Sequence, residues 1–158
     1  MLTRLDKTRQ MLAGKHESID ALLDARHELL VHFVGLLGHK GCRSKQCLPT
    51  NAQVQEFCQM LVDYISAGHF EIYHYVIHAI EKASGRQQSI VNRILPKIAA
   101  TTELALSFND KYGDGFDEEK ALELDDDLNQ LGPVLEERFR LEDRLVKALQ
   151  ILDELLSA

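Results

Sequence analysis

Two groups of residues have the types and spacing from which a metal centre could be built. Glu71 and His74 stand three apart, the Glu-x-x-His spacing that puts a carboxylate and an imidazole on one helical face, as in di-iron bundles. Such a centre needs a second Glu-x-x-His and two further glutamates from other helices. The nearest second copy is Asp24-Ala-Arg-His27, with the shorter acid and no matching pair. The seven histidines are therefore expected at the surface rather than around iron. His39, Cys42 and Cys47 form a tighter cluster, and the cysteine spacing falls in the range used by zinc. A fourth ligand is missing, and an ordinary exposed loop accounts for the cluster better. No glycine-rich phosphate loop, nucleophile elbow or Cys/His catalytic signature is found. The expectation is a protein that is not an enzyme and uses no catalytic residue, metal or cofactor.

A different chemistry is carried by Leu61-Val-Asp-Tyr-Ile-Ser-Ala-Gly-His-Phe70. If this stretch is one helix, Glu56, Asp63, Ser66 and Phe70 fall opposite the stripe Val54, Phe57 and Leu61, because 63, 66 and 70 are spaced three and four apart. A carboxylate, a hydroxyl and a large aromatic on a second face suit contact with a partner. In the competing reading Phe70 turns into the core after a bend at Gly68, and spacing alone does not choose between the two. The run Asp114, Asp117, Glu118, Glu119, Glu123, Asp125, Asp126 and Asp127 is relieved only by Lys120. A solvated helix start explains it, since carboxylates complement the helix dipole there; a docking surface for a basic partner is compatible.

These residues must be positioned by helices. Hydrophobic residues make up 45% and charged residues 27% of 158, a globular balance for one domain spanning 1–158. Three prolines, nine glycines and no alternating β-branched run leave long helices as the natural element. MLTRLDKTRQ contains no apolar signal region, and Leu29 to Leu37 is too short to span a membrane. Three cysteines without framework spacing suit a reducing cytoplasm. A net charge of −7 disfavours direct nucleic-acid binding and favours a basic protein partner.

Periodicity predicts a helix over 3–13 ending at Gly14, then one capped by Ser18 and stopped by Gly38. Its stripe is Ile19, Leu22, Leu23, Leu29, Leu30, Phe33, Val34 and Leu37, interrupted by Arg26. Asn51 is expected to cap a helix buried through Val54, Phe57, Cys58, Leu61 and Ile65. Ala67-Gly68 should break or bend it, with helix resuming from Phe70 to Ala83 and ending near Gly85. Ile90 to Tyr112 follows, kinked at Pro96, and Gly113-Asp-Gly115 is a turn. The last helix runs from Glu118 with Leu128, Leu131, Leu135, Leu145, Leu149, Leu152 and Leu156 as its spine, bent or split at Pro133. The fold class is all-α: a four-helix bundle with one or two additional short helices.

The segment from Phe57 through Asp63, Ser66 and Phe70 to Tyr73 resembles the signature of the Rsd/AlgQ family of anti-sigma factors. Arg26-His-Glu-Leu-Leu-Val31 and Leu135-Glu-Glu-Arg-Phe-Arg-Leu-Glu-Asp-Arg-Leu145 are similar as well, so the resemblance covers essentially the whole chain. It implies a helical bundle that binds region 4 of the primary sigma factor, the basic helix-turn-helix that reads the −35 element and docks on the polymerase β-flap. It also implies that Asp63, Ser66 and Phe70 make this contact, with no direct nucleic acid and no membrane involved. Two rivals from other classes are a metabolic signalling adaptor that binds a phosphocarrier or enzyme, and a metal-binding helical bundle.

Overall fold

Apolar side chains recurring every three and four residues give a helix one face to bury, and this chain repeats that pattern in long runs. The computed structural model describes residues 17–37, 48–81 and 85–157. The elements are α1 (Glu17–Leu37), α2 (Asn51–Ala67), a π-helical segment (Gly68–Tyr73), α3 (His74–Glu81), α4 (Gly85–Tyr112) and α5 (Glu118–Ser157). Because α2, the π-helical segment and α3 follow one another without interruption, the described residues form four helical rods packed as an all-α bundle. No strand occurs among them. The expected helix over 3–13 with its Gly14 stop, the stop at Gly38 and the His39, Cys42 and Cys47 loop lie outside the described residues.

Local chemistry moved several boundaries. Ser18 lies inside α1 rather than capping it. The stripe of α1 continues through Leu36, while Val34 is exposed: steps of four and three from Leu29 pass through Phe33 to residue 36. Thr50, not Asn51, caps α2. Its hydroxyl accepts from Gln53 N while the Gln53 side chain accepts from Thr50 N, a reciprocal capping box. Asn51 instead pairs with the backbone of Phe116, accepting from its N–H at 2.9 Å and donating to its carbonyl at 3.3 Å. That pair pins the start of α2 to the α4–α5 turn, where Gly115 adopts φ +95°. The helix expected from Ile90 begins at Gly85, because the polar first turn, Arg86-Gln-Gln88, forms helix without an apolar signal, while the expected end of the preceding helix at Ala83 lies outside the described residues.

Neither proline divides its helix: α4 passes through Pro96, and α5 runs for 40 residues through Pro133. Both prolines are exposed, as are Asn92 and Asn129, whose carbonyls lose their helical partners and can turn to water. Gly132, beside Pro133, lets α5 approach α1; a Cβ there would stand 3.4 Å from the Phe33 ring.

The core has two halves of different character. In one, rings run from α1 to the turn: Phe33 to Phe57 at 5.8 Å, Phe57 to Phe108 at 6.0 Å, Phe108 to Tyr112 at 4.8 Å and Tyr112 to Phe116 at 5.7 Å. The other half is built on charge. In α5 the residues Leu124, Leu128, Leu131, Leu135, Arg138, Glu142, Leu145 and Leu149 alternate steps of four and three, and every one is buried. Arg138 and Glu142 thus fill the gap in the leucine spine, as core members. Arg26 likewise occupies the stripe of α1 instead of interrupting it.

Candidate partner-binding surface

Asp63, Ser66 and Phe70 are all exposed, and so is Glu56. The first two lie on α2, whose opposite face is held in the core by Val54, Phe57, Cys58, Leu61, Tyr64 and Ile65. Phe70 belongs to the π-helical segment and is 68% exposed. The other five phenylalanines, Phe33, Phe57, Phe108, Phe116 and Phe139, are buried or half-buried. Phe70 is therefore not a core residue in this structure, and the helix neither breaks nor bends into a loop at Gly68. It widens instead, with Gly68 at helical φ −56°, ψ −46°. Asp63 accepts a hydrogen bond from Gln59 Nε2 at 2.9 Å, one helical turn back. The His69 ring meets Phe70 edge to face at 5.1 Å and lies 6.3 Å from the ring of His74.

Behind this surface lies a polar network that sequence reasoning missed. Glu142, 0% exposed, accepts from Tyr64 Oη and from Arg26 Nη2 (3.1 Å) on one oxygen, and from Tyr73 Oη (2.8 Å) on the other. Arg138 Nε stands 2.9 Å from that second oxygen as an ion pair, its N–H not aligned on the acceptor. The rest of the Arg138 guanidinium donates to Tyr73 Oη at 2.9 Å, Thr102 Oγ1 at 2.7 Å and Thr101 Oγ1 at 3.2 Å. Arg26 donates through Nε to Tyr64 Oη at 3.1 Å and through Nη1 to Asp143 at 2.7 Å, and its guanidinium lies 4.8 Å from the Phe139 ring centre. Two guanidiniums thus face two carboxylates, so the buried charge balances. Burial pushes the Tyr64 and Tyr73 phenols well above their ordinary range, and the Glu142 carboxylate adds to it. Burial alone would lower Arg26, but Tyr64, Glu142 and Asp143 outweigh it and hold the guanidinium charged. The legible signal was positional: Arg26, Arg138 and Glu142 sit at core positions of their own stripes.

The acidic run stands elsewhere. Asp117 accepts from Lys120 N at 2.9 Å and so caps α5, and Glu118 and Glu119 occupy its first turn. Lys111 bridges Glu123 and Asp127, the latter at 2.6 Å, and Asp127 also accepts from Tyr112 Oη at 2.6 Å. Burial by itself would raise the Asp127 carboxyl, but the hydrogen bonds from Lys111 and Tyr112 hold it below its ordinary range. Much of the run is thereby committed to structure. It is also distant: Asn51 touches the turn beside it, and Phe70 lies beyond the other end of α2, roughly 25 Å away at 1.5 Å per residue.

Among the described residues no three His, Cys, Asp or Glu side chains gather where they could hold a metal. His27 and His74 are exposed, and the side chain of Glu71 is outside the described residues. Burial pushes the Cys58 thiol up to about 12, leaving it protonated and unreactive. No helix among the described residues is long and apolar enough to cross a membrane.

Comparison with known proteins gives a consistent result. The family described as regulator of RNA polymerase sigma(70) subunit, Rsd/AlgQ, matches residues 1–150. A regulator of sigma D from Yersinia enterocolitica is 35% identical over 148 residues, covering 93% of this chain and 89% of that protein. One from Yersinia pseudotuberculosis is 38% identical over 149 residues, covering 93% and 88%. One from Escherichia coli is 34% identical over 154 residues, covering 97% and 95%.

Proposed function

The chain belongs to the Rsd/AlgQ family of regulators of the RNA polymerase sigma(70) subunit, and from that premise we propose that it is an anti-sigma factor acting in the cytoplasm on region 4 of the primary sigma factor. The observation that carries the reading is the exposure of Phe70 on the same rod that presents Asp63 and Ser66, while every other phenylalanine is at least half-buried. An exposed aromatic on one rod with an exposed carboxylate and hydroxyl has the makeup of an interface anchor with a polar rim. Region 4 carries Lys and Arg to meet phosphates, so an acidic protein with such an anchor can cover the surface that DNA and the β-flap would use. The mechanism is competitive occlusion without covalent chemistry. Phe70 is the apolar anchor, Asp63 pairs with a basic group and Ser66 exchanges a hydrogen bond. At roughly 25 Å, and a Debye length of about 8 Å at physiological salt, the acidic run contributes little to this contact.

Titration of purified region 4 against variants tests the proposal. Phe70→Ala should weaken binding by about 2 kcal/mol or more with an unchanged melting temperature, because its ring is exposed in the free protein. Asp63→Ala and Asp63→Asn should weaken binding alike, since charge is what the contact uses. Unchanged affinity in a stable Phe70→Ala variant would reject the assignment.

A further inference from the structure

Tyr64 and Tyr73 are nine residues apart, a separation that an α-helix turns through 2.5 turns, leaving the two side chains about 180° apart. Both hydroxyls nevertheless end on one carboxylate, Tyr64 on Glu142 Oε2 and Tyr73 on Oε1. The chain from one to the other runs through the π-helical segment Gly68–Tyr73, which ends on the second tyrosine. Its i→i+5 bonding takes one extra residue into the turn and so removes about 100° of rotation. The phenols are left about 80° apart, a gap that two long side chains close on a shared acceptor. The apolar row needs the same correction. Gly68, Ile72, Val76 and Ile80 are buried in steps of four, which would slip about 40° per step in an unbroken α-helix.

The wide turn has one place to sit. Tyr64 and Ile65 precede it, Ile72 and Tyr73 are its last two residues, and all four are buried, so the surplus residue is absorbed between Ile65 and Ile72. That interval contains Ser66 and Phe70. It also rests directly on the clamp, since a Cβ on Gly68 would stand 3.5 Å from Tyr73 Oη and 3.7 Å from Glu142 Oε1.

We propose that Glu142, acting through Tyr64 and Tyr73, is the positioning residue of the binding surface: the buried clamp holds the π-helical turn in register and thereby fixes the outward direction of Phe70. Its consequence for binding rests on the anti-sigma reading; its consequence for the turn does not. Tyr73→Phe keeps the ring and removes only the hydroxyl, so the packing survives while one jaw of the clamp is lost. Amide hydrogen exchange should then quicken roughly tenfold over residues 69–74, with α1 and α4 unchanged. The fluorine resonance of 4-fluorophenylalanine at Phe70, assigned with Phe70→Leu, should move. Affinity for region 4 should fall roughly tenfold. Tyr112→Phe, which removes a hydroxyl from the other half of the core, should change neither the exchange of the turn nor that resonance. An unmoved resonance with unchanged local exchange in Tyr73→Phe overturns the proposal, and so does faster exchange spread evenly over α1 and α4. A loosened turn in a chain whose wild type does not bind region 4 upholds the clamp and rejects the sigma reading instead.

Discussion

The two halves of the core solve the same packing problem with opposite chemistry. In the aromatic half, Phe33, Phe57, Phe108, Tyr112 and Phe116 meet through ring contacts, which are attractive over a range of orientations. In the charged half, Arg26, Tyr64, Tyr73, Arg138 and Glu142 meet through hydrogen bonds that need particular distances and directions. The aromatic half supplies burial that survives small shifts of one helix past another. The charged half tolerates one register, because a slip would leave guanidiniums or a carboxylate buried without partners. Asp63, Ser66 and Phe70, the residues proposed to meet the partner, are exposed on the rod that carries Tyr64 and Tyr73 into the charged half.

Nearly isosteric swaps should separate the halves most sharply. Glu142→Gln keeps the shape but leaves two buried guanidiniums facing Asp143 alone, and should cost about 3–5 kcal/mol. Leu131→Met, beside Phe108, should cost less than about 1.5 kcal/mol. Urea unfolding of both variants checks this, and similar costs would break the comparison.

Alkaline titration should give the next largest effect. Burial raises the Tyr64 and Tyr73 phenols above their unfolded value of about 10, so the native state keeps protons that the unfolded chain gives up. Stability from these groups is full below about pH 10 and is lost as pH rises beyond it, by up to about 1.4 kcal/mol per pH unit for each tyrosine. The urea midpoint should therefore fall above about pH 10 in wild type, and fall less steeply in the Tyr64→Phe, Tyr73→Phe double variant.

The smallest effect belongs to the cluster of Lys111, Glu123 and Asp127, which has similar charges but is partly open to solvent. Lys111→Ala should lower the melting temperature only slightly, and added salt should erase the difference. A loss as large as that of Glu142→Gln would show that burial is not what distinguishes the two clusters.

Much of the bundle was legible because a helix writes its buried face into the chain at intervals of three and four. The stripe of α2 and the leucines of α5 from Leu128 to Leu149 stand where that interval puts them. The exposure of Asp63 and Ser66 followed from the same count. The caps were less legible, since Thr50 and Asn51 both carry the right oxygen; which one closes a box with Gln53 depends on backbone angles, and Asn51 was drawn away to Phe116. Arg26, Arg138 and Glu142 stood in core positions, yet charged residues there read as interruptions because their partners are remote in sequence.

By itself, then, the sequence determined an all-α bundle, its main buried stripes and a second face on α2, since each depends only on residues within a few turns of one another. The tertiary structure decided where Phe70 points and why. Arg26 and Glu142 meet across 116 residues, and Tyr64 and Tyr73 share a carboxylate only because the helix between them widens. That widening is set by two flanking stripes that must enter the same core. Local periodicity carries no term for such a constraint, which exists only once the helices are packed.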